Sequence, residues 1–520
     1  MKALLLLGGF LLFFRSIGME CSRQKARVPL RISRNYYLSR LGNDAGPGNE
    51  ELPFRTLAAL LKIEFLPGDT LFLRGGDLFT GTLKLTLSGA EKHPVIITSY
   101  GQGRATIDGG NRVALEISGS WFKINELIAK GTGRKTGNTT DGVRIVNAHH
   151  VTVENLETSG FQKSGIVVSS SAYVTLKSIH AWENGAIGIS LYECRDCRIL
   201  DCLAENNPGD PTNFTNHSGN GILVGESSQV LIDYCVATNN GWDMPRVGNG
   251  PVGIWAYQSD SVLIQHCIAY RNKTSRGGKD GGGFDFDGGM TNSVIQYCLS
   301  YENEGAGYGL FQYYGARPWH NNTVRYCISI NDGLKTQGAG GILVWNGGPT
   351  SEEFTNSYVY NNVIYNENRP AIAFDDASSN QNFVFANTIF LGKDEIIAGP
   401  TSGERFVGNI WWSIGTSVIR FRGYQSLVDW AKATGQEKLN GHMAGLQINP
   451  RLKGLTLTTL TDPHQLATLT GFQLQPTSPL RNKGLDLRKW FGRELPKNDF
   501  YGNPIPLGTG LEPGIFEYPE

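Results

Sequence analysis

Three aspartates lie close together in one glycine-rich segment, residues 279–289, which reads Lys-Asp-Gly-Gly-Gly-Phe-Asp-Phe-Asp-Gly-Gly. Asp285 and Asp287 are two positions apart, so on a strand both side chains would project from one face, with backbones ~6.6 Å apart. Paired carboxyl groups can cleave glycosidic bonds: one protonates the leaving oxygen while the other activates water or attacks the anomeric carbon. The segment therefore predicts catalytic roles for Asp285, Asp287 and Asp280.

A second chemistry fits the same residues. In a polysaccharide lyase, acidic side chains would hold Ca²⁺ against a uronate carboxylate, and Lys273, Arg276 or Lys279 would remove the C5 proton. A hydrolase would require no cofactor and no metal site, so Ca²⁺ is expected only for a lyase. A third interpretation is that Asp287 merely caps the turn that follows it.

The strand that carries these aspartates belongs to a repeat. The repeat is a glycine followed by alternating apolar residues. Successive copies are about 23 residues apart where the loops are short. The glycines that begin these copies are Gly142, Gly165, Gly188, Gly221, Gly253, Gly283 and Gly341. Ala371 begins a degenerate copy, and a copy within 307–313 has a register ambiguous by two residues. Alternation within strands and a fixed period between them predict an all-β parallel β-helix, whose stacked coils share one core.

Cysteine and asparagine recur after the second strand of many copies. Equivalent positions place Cys202, Cys235, Cys267, Cys298 and Cys327 in one internal column, where a buried thiol packs like a small apolar residue. The asparagines that follow are expected to form turns and to bond their neighbours above and below. Cys194 and Cys197 form a lone C-x-x-C, for which a local disulfide or no function is favoured over zinc.

Positions between the inward apolar residues should face solvent, and several are aromatic. Aromatic faces stack on sugar rings and carboxylates bond sugar hydroxyls, so these positions predict a glycan-binding ledge. The predicted substrate-binding residues are Trp255, Tyr257, Tyr192, Phe311, Tyr313, Trp345, Asp375 and Lys279.

Long insertions support a cleft beside this ledge. They span residues 206–220, 239–251, 272–282 and 331–340, and each comes just before the same strand of its coil. Loops at equivalent positions rise on one side of a solenoid, so they should wall the cleft. The lone loop histidines His217 and His320 are interpreted as structural or solvated.

The amino-acid composition excludes some classes of protein and some partners. The chain of 520 residues has 47 basic and 47 acidic residues, so a nucleic-acid partner is not expected. Hydrophobic residues make up 40% of the chain, which excludes disorder. Charge neutrality also weakens the case for a polyuronate. The expected partner is a polysaccharide or oligosaccharide, and a monomer is expected.

The amino terminus predicts export. Lys2, an apolar run over 3–14 and the small residues near 16–18 form a signal peptide. Cys21 follows and gives lipid anchoring as an alternative to free secretion or a periplasmic location. No later apolar run reaches the ~20 residues of a membrane-spanning helix.

Both ends of the chain resemble a known group of proteins. The matching residues are 36–39 (YYLS), 42–44 (GND), 46–48 (GPG), 53–54 (PF), 56–57 (TL), 67–70 (PGDT), 502–504 (GNP) and 514–517 (GIFE). They resemble the opening and closing segments of secreted right-handed parallel β-helix enzymes of bacteria, the pectate-lyase-like carbohydrate-active enzymes. The resemblance implies a right-handed β-helix with a short N-terminal capping helix, expected over 56–63 with Leu57, Leu60 and Leu61 on one face. The same scaffold carries hydrolases, lyases, epimerases and adhesins, so a non-catalytic glycan-binding protein is the remaining alternative.

These features divide the chain into four parts. Residues 1–18 are the signal peptide, 19–140 the N-terminal cap with the first coils, 141–400 the central β-helix with the cleft, and 401–520 the terminal coils with a C-terminal cap. Within the last part an amphipathic helix is expected over 426–434, with terminal strands at 472–474 and 479–480.

Overall fold

A computed structural model describes residues 33–135, 137–348, 353–375, 379–401, 403–455 and 459–519. The predicted signal peptide and Cys21 lie outside the described residues. No helix in the described ranges is long and apolar enough to cross a membrane.

The repeat forms a parallel β-helix in which each coil contributes strands to three parallel sheets. Equivalent strands of successive coils pair in parallel, as Ile187–Tyr192 does with Asn220–Gly225. The long strands Leu115–Gly131 and Val143–Ser159 each take part in all three sheets. We name the sheets the cleft sheet, the second sheet and the third sheet.

The cleft sheet also contains Leu83–Ser88, Ser164–Ser169, Ile187–Tyr192, Asn220–Gly225, Val252–Tyr257, Gly282–Phe286, Tyr308–Gln312, Ile342–Asn346, Ile372–Phe374, Asp394–Ala398 and Ile419–Phe421. The second sheet contains Asn35–Leu38, Thr70–Arg74, Val95–Tyr100, Ala172–Lys177, Arg195–Leu200, Ser228–Asp233, Asp260–Gln265, Val294–Gln296, Thr323–Arg325, Tyr358–Tyr360, Phe383–Ala386 and Glu404–Val407. The third sheet contains Leu78–Thr80, Ala105–Gly110, His180–Trp182, Leu203–Glu205, Val236–Thr238, Ile268–Tyr270, Leu299–Tyr301, Ile328–Ile330, Val363–Tyr365, Ile389–Gly392, Ile410–Ser413 and Leu446–Gln447. The remaining strands are the parallel pair Trp319–His320 and Phe354–Thr355 and the antiparallel pair Lys438–Leu439 and His442–Met443.

An asparagine ladder closes the turn between the third sheet and the cleft sheet. Side-chain amides bond from coil to coil, as when Asn207 Nδ2 donates to Asn240 Oδ1 at 2.9 Å and Asn240 Nδ2 donates to Asn272 Oδ1 at 2.9 Å. The repeat glycines lie against this ladder: a Cβ at Gly253 would come within 2.6 Å of Asn272 Nδ2. The predicted bonding of asparagines to their neighbours is confirmed, and it explains why glycine opens the strand.

The cysteines pack as the sequence predicted. The internal column is buried and its thiols are free, with Cys235 N donating to Cys267 Sγ at 3.4 Å. Cys194 and Cys197 are also buried free thiols, so the disulfide alternative is not formed.

The helices lie near the predicted positions. Leu57–Leu60 is helical and buries Leu57 and Leu60, but Leu61 lies beyond its end and is 60% exposed, which corrects the expected apolar face. Helix Leu427–Thr434 lies within the predicted range 426–434, and its N-cap is Ser426, whose side chain accepts from Asp429 N. Its Trp430 is buried against aromatic rings of the last coils and covers the end of the core.

The final segment runs along the coils. Its buried residues Leu466 and Phe472 pack on the outer face of the third sheet, and Tyr301 Oη donates to Leu460 O at 3.1 Å. Short helical turns form at Pro463–Thr468 and Thr470–Phe472, and helix Leu487–Phe491 follows. The strands predicted at 472–474 and 479–480 are not found in this part of the described chain.

Candidate active site

Two rows of outward side chains run across the cleft sheet. The strand register places Trp255, Asp285, Gly309, Leu343 and Ala373 side by side, and we call them the inner row. The outer row lies two positions later in each coil and contains Tyr192, Gly225, Tyr257, Asp287, Phe311, Trp345 and Asp375, of which Asp287 and Asp375 lie one residue beyond the ends of their strands. Asp285 lies in the strand Gly282–Phe286 and Asp287 follows one residue after its end, and both line the same pocket.

The ambiguous copy at 307–313 has its register settled by these rows. Phe284 pairs with Tyr308 and Asp285 with Gly309, so Gly309 and Phe311 are the outward residues of this coil. The sequence left this register open by two residues; the outward position expected for Phe311 is confirmed, whereas Tyr313 lies beyond the strand. Tyr313 follows the strand, and its hydroxyl accepts from Gln258 Nε2 at 3.1 Å.

Loops cover much of the ledge and turn it into a pocket of about 780 Å³, a size that suits a small-molecule ligand. All four long insertions contribute to its lining, through Asn216 and His217, Arg246 and Asn249, Gly277 to Asp280, and Lys335 to Gln337. As a result Trp255 is only 4% exposed and Phe311 9%, which corrects the prediction that the ledge faces solvent. Asp375, at the far end of the outer row, is exposed.

Asp285 is the most enclosed of the three aspartates. It is 3% exposed, lines the pocket, and has one carboxyl oxygen, Oδ1, without a hydrogen-bond partner among the described residues. Burial and the nearby charges of Asp287 and Asp280 raise the pKa of Asp285 well above its ordinary value. A buried carboxyl group in these conditions holds its proton to a higher pH than an exposed aspartate does.

Asp287 and Asp280 complete an acidic group in the pocket. Asp287 Oδ1 accepts from Gly288 N at 2.8 Å, yet burial raises the pKa of Asp287 to about 7. Burial raises the pKa of Asp280 to about 6, and the bond from Gly250 N at 2.7 Å and the charges of Lys279 and Arg246 oppose that rise. The three carboxyl groups thus differ in how readily they ionise.

The acidic group does not fit a metal site. Within the described ranges, no three Asp, Glu, His or Cys side chains come together so that they could hold a metal ion. One oxygen of Asp287 and one of Asp280 are each bonded to a backbone N–H, which also reduces the ligands available for Ca²⁺.

Glycines make room for the side chains of the two rows. A Cβ at Gly309 would lie 2.8 Å from Asp285 Oδ1, and a Cβ at Gly225 would lie 2.6 Å from the ring of Tyr257. A Cβ at Gly288 would likewise meet the ring of Tyr313 at 2.4 Å. Larger residues at these positions would displace the aromatic and acidic groups.

The predicted binding residues divide into those that line the pocket and one that does not. Those that line the pocket with the three aspartates are Trp255, Tyr257, Phe311, Tyr313, Trp345, Asp375 and Lys279. Tyr192 does not line it and lies two strands away from Tyr257 in the outer row, with Gly225 between them. Of the basic residues considered for proton removal, Lys279 lines the pocket and Lys273 and Arg276 do not.

Sequence reasoning missed several residues of the lining. His217 was interpreted as structural or solvated, but it lines the pocket edge-on to Trp255, with ring centroids 5.0 Å apart. Thr336 and Gln337 also line it, together with Asn216 and Arg246, which belong to insertions that the sequence expected to wall the cleft. Their positions in the long insertions were the available sequence signal, since each insertion was expected to wall the cleft.

The protein is thus a parallel β-helix with a cleft that is lined by acidic and aromatic residues and walled by loops. The chain belongs to the family described as "Pel9A-like, right handed beta helix region", whose model matches residues 36–324. This match confirms the right-handed β-helix. No curated protein matches the chain in sequence.

Solved structures with the same fold share little sequence with it. The GH136 lacto-N-biosidase from Eubacterium ramulus is 17% identical, with a TM-score of 0.50 over 75% of this chain and 68% of that one. Pectate lyase Pel9A is 15% identical, with a TM-score of 0.43 over 94% and 97%. The alginate lyase from Paenibacillus sp. str. FPU-7 is 16% identical, with a TM-score of 0.41 over 59% and 97%. These similarities are similarities of fold.

Proposed function

We propose that this protein is an exported glycoside hydrolase that cleaves a polysaccharide or oligosaccharide in the cleft. The observation that carries the proposal is the group of Asp280, Asp285 and Asp287, which line one pocket and form no ion pair with a cation among the described residues. Carboxyl groups that are desolvated and form no direct ion pair are able to exchange protons near neutral pH. The lacto-N-biosidase whose fold resembles this one is a carbohydrate-active enzyme, which supports the proposal.

The differences in pKa among the three aspartates suggest which one acts as the acid and which as the base. Asp285 and Asp287 repel each other's charge, so the pair keeps a proton at neutral pH and acts as the general acid on the leaving oxygen. Asp280 ionises more readily because a backbone N–H and two nearby cations favour its charged form. It acts as the base that activates water.

Aromatic side chains next to the acids bind the sugar rings. Tyr257 and Asp287 are neighbours in the outer row, followed by Phe311 and Trp345. Because C–H faces of sugars pack on aromatic rings, this row holds the chain along the acids. No resident metal or cofactor is part of this proposal, and the protein is proposed to act as a monomer.

A polysaccharide lyase is the second candidate, and two cations favour it. Arg246 and Lys279 both line the pocket, where they could bind the carboxylate of a uronate, and Lys279 could remove its proton. In this chemistry the sugar loses its C5 proton and the glycosidic oxygen leaves without addition of water. The products therefore distinguish the two candidates.

A panel of plant, algal and animal glycans tests the proposal, with new reducing ends and the ultraviolet absorbance of unsaturated uronates measured together. We expect reducing ends without that absorbance, and we expect Asp285→Asn and Asp287→Asn to lose activity. Asp394→Asn is the matched control, because Asp394 is exposed and lies in a distant strand of the cleft sheet. Binding without cleavage would instead identify a glycan-binding protein and contradict the proposal.

A further inference from the structure

The cleft is closed at the end nearer the amino terminus. Ser190 and Leu223 continue the inner row beyond Trp255, yet both are fully buried. Leu223 packs in an apolar cluster with Ile187, Val252 and Trp255. This cluster fills the inner row past Trp255.

The insertion over residues 206–220 forms this end wall and is tied to earlier coils. Lys163 Nζ donates to the buried Asp210 Oδ2 at 2.5 Å, and Arg134 Nη1 donates to Gly209 O at 2.8 Å. Gly219 N donates to Ala186 O at 2.8 Å. Because contacts to three other segments hold the insertion, the wall is a fixed part of the fold.

His217 lies on this wall, and its hydrogen bond to Asn220 determines which ring nitrogen carries the hydrogen and can donate. Asn220 Oδ1 accepts from Trp255 Nε1 at 3.0 Å and from Val252 N at 3.2 Å, which orients the amide so that its Nδ2 faces His217 Nδ1 at 3.1 Å. Nδ1 must therefore accept, and the hydrogen of the neutral ring lies on Nε2. Burial lowers the pKa of His217 to about 4, so the ring stays neutral in most conditions.

The opposite end of the cleft is different. Leu343 and Trp345 are partly exposed and Asp375 is exposed, although all three line the pocket. Among the described residues, no apolar cluster comparable to that around Leu223 covers these positions. Among the residues that the structure describes, the cleft is therefore closed at one end and uncovered at the other.

We propose that the closed end is a subsite for a chain terminus, so that the enzyme removes a short unit from the end of its glycan. The terminal sugar lies against Trp255 and Tyr257, and His217 Nε2–H donates to one of its oxygens. Trp255 and Asp285 are register partners on adjacent strands, ~4.8 Å apart. That short distance from the wall to the acids limits the released unit to one or two sugars. This inference rests on the proposed hydrolase function.

Defined oligosaccharides of an accepted glycan test the proposal, with products followed by mass spectrometry from the earliest time points. We expect one mono- or disaccharide product throughout, and we expect that blocking one of the two chain ends lowers the rate at least 100-fold. Early release of many product lengths, or indifference to both blocks, would overturn the inference and leave the hydrolase function intact. Failure to cleave any glycan would contradict the hydrolase function itself.

His217 variants provide a second measurement. His217→Ala should raise KM about tenfold with a much smaller change in kcat, because the lost bond holds the terminal sugar in both ground and transition states. His217→Gln keeps an N–H donor and should recover part of the loss. The matched control is His320→Ala, since His320 is an exposed histidine at the end of the strand Trp319–His320 and lies outside the pocket. An unchanged KM in His217→Ala, with the fold intact, would contradict the assigned subsite.

Discussion

Asp285 and Gly309 are register partners on neighbouring strands of the cleft sheet, and a Cβ at Gly309 would come within 2.8 Å of Asp285 Oδ1. The absence of a side chain at Gly309 thus leaves space for an acidic group that has an unpartnered oxygen. The ring of Phe311 would also lie 2.8 Å from such a Cβ. One small residue therefore supports two side chains of the candidate site.

Gly309→Ala should lower kcat by roughly 10–100-fold, because the added methyl group must displace the carboxyl group of Asp285 or the ring of Phe311. Steady-state kinetics on an accepted glycan measures the loss. Gly454→Ala is the control, since a Cβ there would meet nothing within 4 Å. Equal activity in both variants would show that the position of Asp285 does not matter for turnover.

The dependence of kcat/KM on pH should be bell-shaped, with a fall on the acidic side and a fall on the alkaline side. The pKa of Asp280 is about 6, so kcat/KM should fall as the pH drops through that value and the base becomes protonated. It should fall again above pH 7, as the Asp285–Asp287 pair loses the proton that it donates. A profile that falls only near the ordinary aspartate value of about 4 would contradict these roles.

The same carboxyl groups should destabilise the fold at alkaline pH. Burial raises the pKa of Asp287 to about 7, so the folded state binds its proton more tightly than the unfolded chain does. The resulting stability is present at low pH and is lost as the pH rises through about 7. Asp287→Asn should therefore raise Tm by roughly 1–3 °C at pH 8 while abolishing activity.

That stabilisation should shrink at pH 5, where the wild-type carboxyl is protonated in the fold. Asp394→Asn should show no such pH-dependent difference, because Asp394 is exposed. Thermal unfolding of both variants at the two pH values makes the comparison. An equal or lower Tm for Asp287→Asn at pH 8 would argue against a desolvated carboxyl at this position.

The asparagine ladder should carry much of the stability of the coils around the cleft. Asn240→Ala removes bonds to Asn207 and Asn272 and leaves buried polar groups without partners. We expect a loss of about 2–4 kcal/mol in the free energy of unfolding. Chemical denaturation measures it, and Asn49→Ala at an exposed position should cost less than half as much.

Removal of metal ions should leave the activity unchanged. The hydrolase proposal uses only carboxyl groups of the chain, and the described side chains do not form a three-ligand metal site. Dialysis against EDTA followed by an assay with and without added Ca²⁺ tests this expectation. Loss of activity that Ca²⁺ restores would favour the lyase instead.

The residue pattern within one coil was enough to predict the β-helix and the proximity of Asp285 and Asp287. Glycine and alternation define each strand, and Asp285 and Asp287 must share a face because they are two positions apart. The four long insertions could likewise be placed beside one sheet, since each precedes an equivalent strand. These features depend on the order of residues within one coil and on its repetition.

Features that depend on contacts between coils could not be predicted in the same way. Gly307 and Gly309 are both glycines at the alternating period, so the register of that copy was open until the strands paired. Trp255 and Phe311 are outward by pattern but buried by loops from other coils. His217 has no local motif, and its role follows from its bond to Asn220.

The source of oxygen in the product tests the central claim most directly. Reaction in ¹⁸O-labelled water, with mass analysis of the fragments, reports whether water is added across the broken bond. A hydrolase that uses Asp280, Asp285 and Asp287 must add one labelled oxygen for each bond cleaved, and Asp285→Asn must abolish this product. Cleavage that incorporates no label and yields unsaturated ends would contradict the account.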